Sequence, residues 1–271
     1  RYEFFMPSLK RTAVQRQALQ VELRRAFDNG EFELFYQPQV DAATGRVVGA
    51  ETLLRWSHPE RGTLAPRDFI EVLGSMPLSC SVGDWTIAMA CRQARRWREA
   101  GLADFRIGVN VFEAQFRAGR VVEVVRDALA ASGLPPSGLE LEITEDTVLH
   151  PDRGDLAGLR ELREIGVGIA FDDYGTGYAS LSQLKSYPLT RLKIDRSFVR
   201  NMRENEKDRA VVLAILYLGR SFGLEVIAEG VETPAEARFL ERHGCREIQG
   251  FLNGAPMTAG AFEARFVSVA R

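Results

Sequence analysis

Polar residues stand at or near the ends of successive apolar runs of strand length, and this recurrence limits the folds open to the chain. The runs cover residues 106–111, 139–144, 167–171, 191–194 and 225–228, with a short one near Glu247-Ile248. The polar residues that end or interrupt them are Asn110, Glu142, Asp172, Asp173, Lys193, Glu229 and Gln249. Helix-length stretches separate the runs, so the spacing is typical of one β-α unit per step and predicts a parallel sheet.

A closed α/β barrel would accommodate these units within the available length. The chain has 271 residues, of which 45% are hydrophobic, enough to build one large core. Before the units, apolar residues 34–36 and 47–50 flank the turn-rich loop 41–45, and this pattern predicts two strands joined as an antiparallel hairpin. Apolar positions at helical spacing over residues 13–26, followed by Asn29-Gly30, predict an amphipathic helix ahead of the hairpin.

Charge balance and cysteine content narrow the possible partners and environment. Lys and Arg number 35 against 37 Asp and Glu, a formal net charge of -2, which argues against bulk electrostatic binding of a nucleic acid polymer or an anionic membrane. Three Cys residues without CxxC spacing fit a reducing compartment, and no apolar run approaches the ~18 residues of a spanning helix. We therefore expect a cytoplasmic location. The chain lacks an initiator Met, so we also expect a longer parent protein, and a membrane anchor in a preceding part stays open.

The polar residues at the strand ends are predicted to converge on a metal site. Strand ends meet at the C-terminal mouth of a parallel barrel, and Glu51 joins them if residues 47–56 form a strand, with Leu53 and Arg55 on the same face. Crowded, partly dehydrated carboxylates would cost several kcal/mol unless cations neutralised them. The donors are oxygen atoms with no His or Cys among them, which predicts Mg²⁺ or Mn²⁺, with Ca²⁺ as an inhibitory mimic.

The adjacent pair Asp172-Asp173 is the most specific local feature. One carboxylate of such a pair can bridge two ions while its neighbour binds one, and two ions about 3.5–4 Å apart suit an in-line displacement at phosphorus. Lys193 interrupts an apolar run, although a lysine is rarely buried without a partner. It is predicted to steer or polarise an attacking water, and the alternative is a structural lysine paired with one carboxylate. Together these residues indicate a phosphodiesterase.

Other interpretations of the same residues remain open at this point. Any one of these acids, taken alone, would more often be a helix cap or a solvated loop residue. An enolase-like barrel also places several acids and a lysine at its strand ends. The adjacent Asp172-Asp173 pair and the lack of a second catalytic Lys or His in the pattern speak against that class.

Eight short segments together resemble the EAL domain family, bacterial phosphodiesterases that cleave cyclic di-GMP to linear pGpG. They are Gln37-Pro38, Glu51-Thr52-Leu53-Leu54-Arg55-Trp56, Asn110, Glu142-Ile143-Thr144-Glu145, Asp172-Asp173-Tyr174-Gly175-Thr176-Gly177, Leu192-Lys193-Ile194-Asp195, Ala228-Glu229-Gly230-Val231-Glu232 and Gln249-Gly250-Phe251. The resemblance covers residues 14 to 265 approximately. It implies an α/β fold, a TIM-like (β/α)8 barrel with the first strand antiparallel to the rest, over residues 31–271. Residues 1–30 resemble the connector between a GGDEF domain and an EAL domain.

The resemblance also implies roles for individual residues. The implied metal ligands are Glu51, Asn110, Glu142, Asp172, Asp173 and, directly or through water, Glu229. The implied catalytic residues are Lys193, which would hold the attacking water, with Glu229, Glu51 and Asp173. The positions that match dinucleotide contacts are Gln37, Leu53, Arg55 and Gln249. Arg55 is a natural phosphate partner because its guanidinium suits paired oxygens.

The resemblance further implies coupling between the site and an assembly. Glu145 matches the position that ties down the loop after Asp172-Asp173, which couples the active site to the dimer interface, and Glu232 has a supporting part. We expect a homodimer, with an upstream sensor or GGDEF domain in the parent protein. The alternative is a catalytically weak receptor module that binds cyclic di-GMP; the complete ligand set argues against it.

Overall fold

The strands of this chain close into one barrel. A computed structural model describes residues 7–144, 156–175 and 181–267. Within these residues a single sheet has the order β1-β9-β8-β7-β6-β5-β4-β2-β3, and β1 also pairs with β2. The strands are β1 (Phe32–Asp41), β2 (Val47–His58), β3 (Gly62–Leu64), β4 (Arg106–Asn110), β5 (Leu139–Thr144), β6 (Gly168–Tyr174), β7 (Arg191–Ile194), β8 (Glu225–Ala228) and β9 (Glu247–Gln249).

Helices follow most strands, as expected for a (β/α) barrel. They are α1 (Pro7–Asp28), α2 (Ile70–Gly74), α3 (Leu78–Glu99), α4 (Glu113–Arg117), α5 (Val121–Ser132), α6 (Leu156–Glu164), α7 (Leu181–Ser186), α8 (Arg196–Asn201), α9 (Glu206–Phe222), α10 (Pro234–Arg242) and α11 (Ala259–Phe262). Short 3-10 turns occupy Pro66–Asp68 and Pro136–Gly138, and a π-helical turn occupies Glu263–Val267. None of the helices in the described residues is both long and apolar enough to cross a membrane.

The strand directions confirm the predicted reversal of the first strand. β1 runs antiparallel to both of its neighbours, β2 and β9, whereas successive pairs from β2 through β4 to β9 are parallel. β5, β7 and β8 have the predicted bounds, and β6 continues past residue 171 to Tyr174. β3 extends the hairpin as an additional antiparallel strand of three residues, which the sequence pattern did not predict.

Local sequence signals explain how two of the helices begin and pack. Thr233 caps α10: its hydroxyl accepts from the Glu236 backbone N–H at 3.2 Å, and the Glu236 carboxylate accepts from the Thr233 N–H at 2.9 Å. In α9, Val212 and Ile215 are buried against the barrel, whereas Tyr217 is 67% exposed. The apolar segment 209–219 therefore packs on the barrel along one face and meets solvent along another.

The apolar core lies outside the barrel, between the strands and the helices. Trp97 of α3 stacks on Phe262 with ring centroids 4.3 Å apart and meets Phe105 edge-on at 5.2 Å. Trp56 of β2 is fully buried and packs edge-on against Phe69. This layer supplies the hydrophobic stabilisation, because much of the barrel interior is charged and not filled with the branched aliphatic residues usual in such barrels.

A buried ion-pair network fills the N-terminal end of the barrel interior. Arg191 is only 1% exposed, with its Nε 3.0 Å from Oε2 of Glu140 and its Nη1 2.5 Å from Oε2 of Glu247; it also pairs with Glu225. Arg106 reaches the same three carboxylates, at 2.7 Å for Glu247. We call these five residues the lower network. The two arginines offset two of the three carboxylate charges, and Glu225, whose side chain is 63% exposed, reaches solvent.

Replacement of Arg191 should destabilise the fold strongly. In Arg191→Ala, the Glu140 carboxylate, 2% exposed, would keep only Arg106 at 3.5 Å. Removing one partner from a buried ion pair costs about 3–5 kcal/mol, so we expect the free energy of unfolding in urea to fall by that amount. Arg126→Ala, which breaks the exposed pair with Glu161, is the matched control and should cost at most about 1 kcal/mol. Equal losses in the two variants would contradict a buried network.

Candidate metal centre

Lys193 lies at the centre of a cluster of carboxylates at the C-terminal mouth of the barrel. Its Nζ is 2.6 Å from Oε2 of Glu142, 2.8 Å from Oε1 of Glu229 and 2.9 Å from Oδ1 of Asp172, and its side chain is 1% exposed. Oε2 of Glu51 lies slightly farther away, at 3.8 Å. Acids from β2, β5, β6 and the end of β8 thus surround one side chain of β7. The structure brings together the predicted acids of this set.

The cluster carries more negative charge than its lysine can balance. The carboxyl groups of Glu51, Glu142, Asp172, Asp173 and Glu229 lie around Lys193 or next to one of its partners. Five ionised carboxylates and one ammonium would leave four uncompensated negative charges, which equals the charge of two divalent cations. Carboxylate oxygens of Asp172, Asp173 and Glu229 lie within 4.8 Å of one another, close enough to share an ion.

A local irregularity in β6 directs both members of the Asp172-Asp173 pair towards this site. In a regular strand adjacent side chains point to opposite faces of the sheet. The register between β6 and β7 shifts between Phe171 and Tyr174, and Asp173 has a left-handed backbone with φ of 52°. A bulge of this kind re-aims a side chain, and it therefore lets two consecutive carboxylates serve one centre.

A chain of side-chain amides orients Glu51. The Asn110 amide donates to Oε1 of Glu51 at 2.9 Å, and the Gln249 amide donates to Oε2 at 2.5 Å. The same Gln249 nitrogen lies 3.2 Å from the Gln37 carbonyl oxygen, while the fully buried Gln39 donates to the Gln249 oxygen at 3.0 Å. Gln39 was not singled out from the sequence. It fixes the orientation of Gln249 from inside the barrel.

Glu142 carries the deepest carboxylate and retains an open acceptor. Its Oε2 contacts Lys193, but its buried Oε1 has no hydrogen-bond partner among the described residues. A Cβ atom on neighbouring Gly108 would lie 2.2 Å from this oxygen, so the glycine leaves the room that the carboxylate occupies. A buried acceptor without a donor is costly, and a cation bound there would remove that cost. The donor set therefore fits a hard divalent ion.

Burial raises the pKa of several acids in the cluster. Loss of hydration, reinforced by the charge of Asp172, raises the pKa of Glu229 to about 8 even though Lys193 opposes the shift. Partial loss of hydration, together with the negative charges of Asp172 and Asp195, raises the pKa of Asp173 to about 7. The residue nevertheless remains in contact with solvent. Burial also lowers the pKa of Lys193, but the neighbouring carboxylates more than offset this and raise it well above its usual value. The lysine therefore stays charged, whereas Glu229 and Asp173 hold protons on the acidic side of neutral pH.

The hairpin of β1 and β2 forms one side of the mouth. Opposite-strand pairs Gln37 with Glu51 and Phe35 with Leu53 stand on one face, and Arg55 follows on the same face. Gln37 donates to the Gly254 carbonyl at 3.3 Å. The predicted dinucleotide contacts thus lie together, next to the acid cluster.

The structure leaves the predicted role of Glu145 untested and places Glu232 outside this arrangement. Glu145 lies outside the described residues, so its predicted coupling role stays a prediction. The side chain of Glu232 is exposed, and its backbone N–H donates to the Glu236 carboxylate at 2.8 Å as part of the cap of α10. Sequence reasoning missed Gln39, Gly108 and Phe35. A hint for Gln39 was a polar residue at alternate spacing from Gln37 within an apolar strand.

Large clefts also exist at the opposite end of the barrel, away from the acid cluster. One of about 580 Å³ is lined by Glu225, Cys245 and Glu247, among others, and one of about 480 Å³ by Val47 and Phe105. These residues lie at the N-terminal ends of strands or before them. Size alone does not mark the site here, because the convergent carboxylates lie at the other end.

The fold and the acidic centre define a TIM-like barrel with a candidate metal site at its C-terminal mouth. The sequence matches the family described as "EAL domain" over residues 20–256. This chain therefore belongs to the EAL domain family, as the sequence motifs predicted.

Curated relatives of this chain are longer proteins. MucR of Pseudomonas aeruginosa, a bifunctional diguanylate cyclase/cyclic di-GMP phosphodiesterase, is 43% identical over 258 residues, which are 95% of this chain and 38% of MucR. NbdA of the same organism, a cyclic di-GMP phosphodiesterase, is 37% identical over 261 residues, 96% of this chain and 33% of NbdA. This chain thus spans well under half the length of these two relatives.

Solved structures share the fold. The PaMucR phosphodiesterase in its c-di-GMP complex superposes with a TM-score of 0.86 at 43% identity, covering 90% of this chain and 99% of that one. The EAL enzyme Bd1971, in its form with cAMP and cyclic di-GMP bound, gives a TM-score of 0.90 at 33% identity, covering 96% of this chain and 70% of that one. The predicted barrel with a reversed first strand is confirmed.

Divalent cation binding to the acid cluster should strengthen as the pH rises. Glu229 and Asp173, with pKa values of about 8 and about 7, hold protons at pH 6 that they must lose to become ligands. We expect the apparent Kd for Mn²⁺, measured by titration calorimetry, to fall at least ~10-fold between pH 6 and pH 8.5. Glu229→Gln should bind Mn²⁺ more weakly and with a smaller pH dependence. Affinity that is constant over this range would contradict the assignment.

Proposed function

We propose that this chain is a metal-dependent phosphodiesterase that hydrolyses cyclic di-GMP to linear pGpG. The observation that carries the proposal is the convergence of four carboxyl groups on one buried lysine, with the Asp173 carboxyl group beside them, at the mouth of an EAL barrel. MucR and NbdA, which are named as cyclic di-GMP phosphodiesterases, support the choice of substrate.

We propose two divalent cations, Mg²⁺ or Mn²⁺, at this centre. The proposed ligands are Glu51, Asn110, Glu142, Asp172, Asp173 and Glu229. When bound, the cations would supply positive charge against the phosphate and the nucleophile. Ca²⁺ is expected to inhibit because it prefers longer bonds and a looser, larger coordination shell.

The chain's own side chains have distinct proposed parts in the reaction. Lys193 donates a hydrogen bond that holds the attacking water, and Glu229 accepts a proton from that water. The water oxygen forms a bond to phosphorus while the bond from phosphorus to the ribose 3′ oxygen breaks, and the departing oxygen takes a proton from solvent. The dinucleotide is held by Gln37, Leu53, Arg55 and Gln249. Arg55 pairs with phosphate oxygens through its guanidinium.

The surrounding assembly is also part of the proposal. Residues 31–271 form the phosphodiesterase domain, and residues 1–30 connect it to an upstream sensor or GGDEF domain. The greater length of MucR and NbdA supports such a partner. We propose a homodimer in which Glu145, with support from Glu232, couples the interface to the loop after Asp172-Asp173.

Cyclic di-GMP incubated with the purified chain and Mg²⁺ or Mn²⁺ should be converted to pGpG. The formation of pGpG is measured by chromatography. EDTA should abolish hydrolysis, and Glu51→Ala or Asp173→Asn should lower kcat/KM at least ~100-fold because each removes a metal ligand. Glu206→Gln is the matched control, since this glutamate is exposed on α9, and its activity should equal that of the wild type.

Three outcomes would contradict parts of this proposal. Full activity in either ligand variant would refute the metal assignment, and hydrolysis that survives EDTA would refute the mechanism. Binding of cyclic di-GMP without product under any of these metals would favour the receptor module.

A further inference from the structure

Beyond the barrel proper, β1 and β2 pair mainly with each other. β1 meets β9 only at residues 39–41, and β2 meets β4 only at residues 49–52, whereas the β1–β2 pairing continues from Val40 to Phe32. We call residues 32–36 and 53–58 the hairpin wall. Its outer face is buried at Leu34, Leu54 and Trp56, which fixes the wall in place.

On the other face of the hairpin wall, Arg55 forms no ion pair with an acid of the described residues, although the charges of Glu51 and Glu33 act on it from farther away. No carboxylate oxygen lies within the 4.0 Å of an ion pair from the Arg55 guanidinium in the described part of the chain. Glu33 pairs directly opposite Arg55 in the strand register, yet its carboxylate accepts from the Ser57 hydroxyl instead. Arg55 is half-buried, and Nη1 donates to the Leu54 carbonyl at 2.9 Å.

An aromatic ring lies under the guanidinium in place of an acid. The central carbon of the Arg55 guanidinium is 5.2 Å from the centroid of the Phe35 ring, within the range of a cation–π contact. The two residues are diagonal neighbours on one face of an antiparallel pair, which suits a long side chain and a ring. A ring holds the plane of the guanidinium without using its N–H donors, whereas a carboxylate would use them and would repel an anionic ligand.

We propose that Phe35 is a positioning residue that holds Arg55 for a phosphate group of the substrate. Phe35 acts through Arg55 and not on the reacting atoms. The inference rests on the proposed function for its ligand, because it takes the phosphate of cyclic di-GMP as the group that Arg55 binds. The contact between ring and guanidinium itself is independent of any ligand.

The ligand-free contact is tested by NMR of protein labelled with ¹⁵N-arginine. An N–H group over the face of a ring is shielded, so Phe35→Leu should move the Arg55 Nε–H resonance downfield, and Phe35→Tyr should leave it near the wild-type position. Phe27→Leu is the matched control, since Phe27 packs against Phe32 and not against Arg55. An unchanged Arg55 resonance in Phe35→Leu would refute the contact whether or not the chain hydrolyses cyclic di-GMP.

The functional consequence is tested by kinetics and by a double-mutant cycle. Phe35→Leu should raise KM by about three- to thirty-fold, the range expected from loss of a cation–π contact, and should leave kcat within about two-fold of the wild type. The Kd for cyclic di-GMP, measured with Ca²⁺ in place of Mg²⁺, should rise by the same factor as KM. Phe35→Tyr, which keeps an aromatic ring at this position, should leave KM and Kd near their wild-type values. In an Arg55→Gln background the same Phe35→Leu change should alter neither.

The outcomes separate this inference from the proposed function. A wild-type chain that neither binds nor hydrolyses cyclic di-GMP would refute the proposed function and, with it, the role of Phe35. Normal wild-type activity with an unchanged KM in Phe35→Leu would refute the inference alone. An equal loss of affinity with and without Arg55 would also refute it, because the ring would then contact the ligand directly.

Discussion

The ammonium group of Lys193 holds the upper interior of this barrel together. It contacts acids from β5, β6 and the end of β8 at 2.6 to 2.9 Å, so one side chain on β7 links strands on both sides of it. Without that charge, the carboxyl groups could approach only as neutral acids. Their number still exceeds what one lysine can balance, and the surplus is held by protons or by cations. The site is therefore built to exchange one for the other.

The barrel interior has two charged levels. Arg191 and Lys193 lie two residues apart on β7 and face the same side, as do Glu140 and Glu142 on β5. The lower level contains nearly matched charges that satisfy one another, and the upper level contains an excess of acids. The same strands thus supply a structural ion-pair network and a candidate metal centre, separated by one step of side-chain alternation. The apolar layer around Trp97 provides the packing that neither level offers.

The parts of the fold that follow from local sequence were predictable. Apolar runs bounded by turn residues predicted the strands, and Thr233 with Glu236 is a signal of the same local kind for the start of α10, because such signals act over a few residues. The lower network was overlooked even though Glu140 and Arg191 interrupt apolar runs in the same manner as Glu142 and Lys193. Which of these side chains meet depends on the strand register, which the apolar runs do not give.

Other features depend on neighbours that are distant in sequence. Gly108 leaves room for the carboxylate of Glu142 on the adjacent strand. The Gln39 amide nitrogen orients Gln249 through a hydrogen bond of 3.0 Å to its side-chain oxygen. The contact between Phe35 and Arg55 needs the register of the hairpin. None of these relations can be read from one segment, since strand pairing decides which side chains meet.

At Asp173, the residue that would best stabilise the fold differs from the residue that the candidate metal centre needs. The left-handed conformation of this backbone costs an aspartate more than it would cost glycine, so relief of that strain would favour glycine there. Glycine has no carboxylate to offer a cation. Directed evolution that selects only for thermal stability would therefore favour Asp173→Gly. The resulting barrel would be more stable, but its acidic centre would lack one carboxylate.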